Sequence, residues 1–193
     1  MINGGLAMWP GSYQADNWIT SYAGHFMIEA EKKGYSISSA FMQKWISYQK
    51  KTAQDWRYDI RYKHSANDQA YRLFTLALAG QPERGAMNRL RESADIPQLS
   101  KWFLAAAYAS TGRPEAAEEL LDMRNLAPDS GYSDYYYGSQ IRDKAVILYT
   151  LTLLKKEEQA LVLLKEISGD IARDSWYSTQ SLAWGLFSYM KWI

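Results

Sequence analysis

The sequence predicts an all-α fold built of antiparallel helix pairs. Apolar residues return at helical spacing through most of the chain, and no stretch sustains a two-residue alternation. Proline falls near the predicted helix starts and glycine just past their ends. From Asn67 onward the pattern repeats at roughly 30–45 residues per pair, the range of helical hairpins that bury their faces by stacking. Stacked in this way, the pairs make an arc or a ring, part of an α/α toroid.

Ile19, Tyr22, Ala23, Phe26, Met27 and Ala30 share one face of the first helix. Asp16 or Asn17 caps its start, and Gly34 suits its end because glycine tolerates the left-handed conformation. A second helix begins near Ser39 and carries Phe41, Met42, Trp45 and Ile46. Residues 49–66 mix charge with aromatics without a clean period, and read as a connection or a frayed helix. The first repeated pair places Ala70, Leu73, Phe74 and Ala77 before Gly80, with Pro82 opening a partner that carries Ala86, Met87 and Leu90. The second places Leu99, Trp102, Phe103, Ala106 and Ala107 before Gly112, with Pro114 opening a partner that carries Ala117, Leu120 and Leu121. The third starts after Gly138-Ser139 with Ile141, Ala145, Leu148 and Thr152, and continues through Ala160, Leu161 and Leu164 to Gly169. A last helix carries Leu182, Ala183, Leu186, Phe187 and Met190.

A length of 193 residues suits one helical domain spanning positions 1–193, with enough chain for a real core. Charge is balanced, 22 Lys plus Arg against 21 Asp plus Glu, so no overall field draws the chain to nucleic acid or anionic membrane. Hydrophobic residues make up 47%, which argues against disorder. No apolar run reaches the roughly 18 residues that a membrane span needs. Cysteine is absent, which excludes disulfides and thiolate metal sites, and two histidines alone do not make a metal centre. No metal or cofactor is expected.

Two segments carry more than helical pattern. One runs Gly4-Gly5-Leu6-Ala7-Met8-Trp9, then Asp16-Asn17-Trp18-Ile19-Thr20-Ser21-Tyr22, then Glu29-Ala30 through Gly34-Tyr35-Ser36-Ile37. The other runs Tyr137-Gly138-Ser139-Gln140-Ile141-Arg142-Asp143-Lys144-Ala145, with Trp176-Tyr177-Ser178-Thr179-Gln180-Ser181-Leu182-Ala183 later. Both resemble the thioester-containing domain of bacterial alpha-2-macroglobulins, the helical toroid related to that of complement proteins. The resemblance covers nearly the whole chain, with gaps, in the family's order.

The resemblance implies a role in trapping proteases. In the family a Cys-x-Glu-Gln motif forms an internal thioester upstream of the glycine-tryptophan turn, and residues 1–3 do not contain it. The chain thus looks like a C-terminal part of such a domain, supplying scaffold and shielding rather than the reactive bond. No catalytic residue carries over: the loop Leu6–Asn17 has no histidine where some relatives place one, and His25 lies two turns into the helix. Gly4, Gly5, Trp9, Asp16, Trp18 and Tyr22 are the family-motif and candidate interaction residues. The implied partners are other domains of a parent protein and, through it, target proteases; nucleic acid and membrane contact are not implied. The implied location is the periplasm or cell envelope.

Two other readings compete. A toroidal enzyme of glycoside-hydrolase or terpenoid-cyclase type needs paired carboxylates or an Asp-rich motif, and Asp16, Asp55 and Asp59 offer neither. A helical-repeat adaptor is suggested by Gly112-Arg113-Pro114-Glu115-Ala116-Ala117, but the repeat lengths are uneven. Trp9, Trp18, Tyr22, Trp45 and Trp56 read as core packing ahead of a stacking platform. Tyr132, Tyr135, Tyr136 and Tyr137 form either a contact surface or a loop folded onto helix ends. His25 reads as a satisfied histidine at the core edge.

Overall fold

A computed structural model of the chain describes residues 3–128 and 138–193, so the tyrosines at 132 and 135–137 lie outside the described residues. Nine α-helices occur among the described residues: α1 (Asn17–Lys32), α2 (Ser39–Asp55), α3 (Ser65–Leu78), α4 (Arg84–Arg91), α5 (Gln98–Ser110), α6 (Pro114–Glu118), α7 (Gln140–Leu153), α8 (Glu157–Ile171) and α9 (Thr179–Trp192). A short 3-10 turn, Ile60–Tyr62, precedes α3.

The odd-numbered helices form an inner layer in which α1 packs on α3, α3 on α5, α5 on α7 and α7 on α9. The even-numbered helices lie outside them and return the chain, so the inner helices all run the same way. Side chains confirm the common direction. Asn67 near the start of α3 accepts from Ser100 near the start of α5 at 2.6 Å, while Glu29 and Lys191, near the ends of α1 and α9, pair at 2.8 Å.

The inner position of α3 explains why every residue from Ala66 to Ala77 is buried. The run Ala105-Ala106-Ala107 keeps α5 slim, so α3 approaches it closely and Tyr71 stacks on Phe103 at 4.6 Å between ring centres. A helix buried on every side must satisfy its polar residues internally. Arg72 donates from Nη1 to Gln69 Oε1 at 2.6 Å, from Nε to Gln49 Oε1 at 3.1 Å, and from Nη2 to Asn17 Oδ1 at 2.8 Å. Burial pulls this guanidinium down to about 10, and the nearby Asp68 charge opposes that shift.

Several expectations from sequence need correction. Of the two readings for residues 49–66, the helical one holds for 49–55, since α2 continues to Asp55 and turns Gln49 and Ala53 inward against α1 and α3. The first helix is rotated from its predicted face: Trp18, Ser21, Gly24, His25 and Ile28 are buried, whereas Phe26 is 71% exposed. The same happens in α9, where Ser181, Trp184, Gly185 and Ser188 are buried while Leu186 and Met190 are exposed. In α8 the buried residues are Ala160, Leu163 and Ile167, Leu161 is exposed, and the helix continues through Gly169. Pro82 lies one residue ahead of the N-cap Glu83 rather than within α4, whereas Pro114 does open α6. That helix ends at Glu118, leaving Leu120 and Leu121 beyond its last turn.

Glycine in α1 has a steric reason. A Cβ on Gly24 would lie 2.1 Å from Cζ2 of Trp45, whose fully buried indole also donates to the Thr20 carbonyl at 2.8 Å. Gly169 of α8 meets nothing within 4 Å. Gly24→Ala is therefore expected to lose about 1–3 kcal/mol through overpacking. Gly169→Ala should gain about 0.5–1 kcal/mol by removing a flexible helix-interior residue. Urea unfolding midpoints of the two variants check both signs.

Candidate functional site

The two segments that carry the family resemblance meet at one end of the helical array, where the inner helices begin. Asp16 caps α1 by accepting the Ile19 backbone N–H at 2.8 Å. This anchors Trp18, which is buried and whose indole N–H donates to Gln180 Oε1 at 3.0 Å across to α9. The Arg142 guanidinium of α7 sits 4.8 Å from the Trp18 ring centre and pairs with Asp143 at 2.7 Å. Ser139 caps α7 by accepting the Arg142 N–H at 3.0 Å, and its hydroxyl also bonds that of Ser181. Ser178 caps α9 in the same manner, accepting from the Ser181 N–H at 3.2 Å. Three helix starts are thereby tied into one polar rim over an aromatic interior of Trp18, Tyr71, Phe103 and Trp184.

The nominated residues divide between this rim and other places. Gly4 and Gly5 pack the N-terminal segment onto α2. A Cβ on Gly4 would fall 2.2 Å from the Lys44 carbonyl oxygen, and one on Gly5 2.7 Å from the Tyr48 ring. Trp9 is largely exposed on the following loop, apart from Trp18. Asp16 and Trp18 belong to the rim. Tyr22 lies half-buried one turn deeper, on the side of α1 that faces α9. Asp55 and Asp59 are not gathered with Asp16: Asp55 ends α2 and Asp59 pairs with Arg61. Arg142, Ser139, Gln180 and Ser181 were not nominated, although the second resembling segment contains all four.

Below the rim, α1 and α9 enclose a groove of about 190 Å³ lined by Tyr22, His25, Phe26, Glu29, Trp184 and Phe187. His25 is buried, with only Nδ1 partnered, 3.2 Å from the Tyr71 hydroxyl, so it is not the fully satisfied histidine expected from sequence. Burial holds its imidazole down at about 3; Glu29 opposes the shift, while Lys32 and Lys191 add to it. The unfolded chain therefore takes up a proton that the folded chain refuses. Stability is fully present above pH 6.5 and falls as pH drops from 6.5 towards 3. This one group contributes a slope of about 1.4 kcal/mol per pH unit within that window. His25→Gln should flatten the slope by that amount in unfolding titrations.

No protein-family model matches the sequence. The chain is 26% identical over 194 aligned positions to the alpha-2-macroglobulin of Escherichia coli K12, covering 92% of this chain. It spans 12% of that relative's length. Native E. coli alpha-2-macroglobulin, solved by cryo-electron microscopy, superposes with a TM-score of 0.83 at 25% identity, over 98% of this chain and 13% of the other. A crystal structure of the native E. coli protein from domain MG7 to the C-terminus matches with a TM-score of 0.81 at 27% identity, over 98% and 31% of the two chains. The trypsin-activated E. coli protein matches with a TM-score of 0.77 at 26% identity, over 98% and 13%. In sequence and in fold, this all-α chain resembles a C-terminal portion of the bacterial alpha-2-macroglobulins over nearly its whole length.

Proposed function

We propose that this chain is part of the helical wall of a thioester-containing domain in a protease-trapping protein of the cell envelope. The observation that carries the reading is the rim, where both resembling segments converge on Trp18: Gln180 accepts from its indole and Arg142 lies over its ring. A thioester survives only where water is kept from its carbonyl carbon, and a rim backed by packed aromatic rings supplies such a setting. The chain's own task is scaffolding and shielding; the bond itself belongs to a Cys-x-Glu-Gln encoded upstream. Activation by trypsin is described for the matched E. coli protein, and we extend protease capture to the parent of this chain on that likeness.

The test is to express the coding sequence with its upstream portion and treat the product with labelled methylamine. One methylamine per chain is expected, mapped by mass spectrometry to the glutamine of a Cys-x-Glu-Gln. Trp18→Ala should leave the motif intact but raise its spontaneous hydrolysis about tenfold, since losing about 1.4 kcal/mol of barrier is a tenfold rate change. An upstream sequence without the motif, or hydrolysis unchanged by Trp18→Ala, overturns the shielding role.

A further inference from the structure

The end of the outer helix α2 gathers two cations at one point. The last carbonyls of a helix have no partner within it, and here two guanidiniums meet them. Arg57 Nη1 donates to the Gln54 carbonyl at 2.6 Å and to the Trp56 carbonyl at 2.9 Å. Arg89 Nη2, from α4, donates to the Ala53 and Gln54 carbonyls at 3.3 Å each. Both arginines therefore reach the same oxygen, that of Gln54. A helix end carries about half a negative charge, which leaves two full positive charges only partly offset. Neighbouring cations on this flank are paired: Lys50 with Glu83, Arg61 with Asp59, Lys63 with Asp95 and Arg91 with Glu119. Arg57 and Arg89 form no ion pair among the described residues.

The two arginines open onto a cleft of about 220 Å³ whose other walls are Trp56, Tyr58, Glu92 and Ser93. The rings of Trp56 and Tyr58 lie 6.1 Å apart, and each is backed on one side by the core. The Tyr58 hydroxyl donates to the Asp95 carbonyl at 3.2 Å, which holds its ring in place. In the turn that follows, Ile60 and Tyr62 are 61% and 70% exposed. The cleft is smaller than the roughly 300–1,000 Å³ that enclose a small molecule, so it suits a side chain or two of a larger partner. Trp, Tyr and Arg are also the residue types that concentrate binding energy at protein interfaces. Spare guanidinium N–H groups match the geometry of a carboxylate. Glu92 and the exposed Asp55 keep the positive field short-ranged, which suits one carboxylate better than the repeated charges of a nucleic acid.

We propose that this cleft docks an acidic segment from another part of the parent protein. An Asp or Glu carboxylate of that segment bridges Arg57 and Arg89, and an apolar side chain beside it lies on Trp56 and Tyr58. Its backbone N–H groups face Glu92. The chain spans 12% of the length of its E. coli relative, and a parent of similar length holds ample sequence to supply the segment. The cleft lies between two outer helices, away from the α1–α9 side, so it concerns how the wall is held to its parent rather than how a thioester is covered. The inference rests on the reading of this chain as one part of a larger protein.

The experiment uses the full-length parent. Arg57→Lys places an amine in the cleft, and a carbodiimide joins that amine to a carboxylate touching it. Mass spectrometry should find the link to an Asp or Glu outside residues 1–193. Arg84→Lys, at the exposed start of α4 and outside the cleft, is the control and should give no such link. Adding Arg89→Gln to Arg57→Lys should lower the yield about tenfold, whereas adding Arg89→Lys, which keeps the charge, should retain the link. Links confined to the chain's own Asp55, Asp59 or Glu92 overturn the proposal, as do equal yields from Arg57→Lys and Arg84→Lys. Binding of a labelled single-stranded oligonucleotide that is lost in Arg57→Gln would assign the cleft to phosphates and overturn it too. Methylamine uptake without the link would remove the docking site and leave the thioester reading standing; the link without uptake would do the reverse.

Discussion

Arg72 is 1% exposed, so its guanidinium must be met by protein oxygens, and meeting it fixes how the first three helices sit. Its donors reach Asn17 at the start of α1, Gln49 in the middle of α2 and Gln69 one turn back on α3. Gln49 passes the connection on by donating to Ser21 at 3.0 Å, and Gln69 does so by donating to the Ala53 carbonyl at 3.0 Å. A slip of either neighbouring helix by one turn would take an amide oxygen away from a buried charged donor. The polar centre thus sets register, while apolar packing supplies most of the cohesion.

That registration is what places the rim. With α1 held by Asn17, its first turn presents Trp18 to α7 and α9, and Ser139 and Ser178 cap those helices at the same level. The groove beneath follows from the same geometry. The first and last inner helices border that groove, and His25 and Trp184 lie along it, each with one buried ring nitrogen that has no hydrogen-bond partner. Rim and groove therefore adjoin on the α1–α9 side of the array.

The glycine-tryptophan segment illustrates how a motif divides between packing and recognition. Gly4 and Gly5 are glycines because the chain passes within van der Waals contact of Lys44 and Tyr48, and Gly4 also adopts a φ of 107°. Trp9, three residues after Leu6, faces solvent. Both lie in one resembling stretch, yet only the glycines have a reason internal to this chain.

Helix identity, approximate helix number and the cap of α1 at Asp16 or Asn17 were legible in the sequence because they depend on local spacing and short-range hydrogen bonds. So was the resemblance, which rests on the order of residues along the chain. Which face of α1 or α9 turns inward was not legible. Phe26 outscores Gly24 in hydrophobicity, but only Gly24 admits the Trp45 ring, and that fit involves residues 21 positions apart. The meeting of Trp18 with Arg142 and Gln180 was likewise invisible, since it joins segments more than 100 residues apart through the stacking of five inner helices. Periodicity reports that a side chain is apolar; only the assembled layers decide which neighbour, in this chain or beyond it, removes that side chain from water.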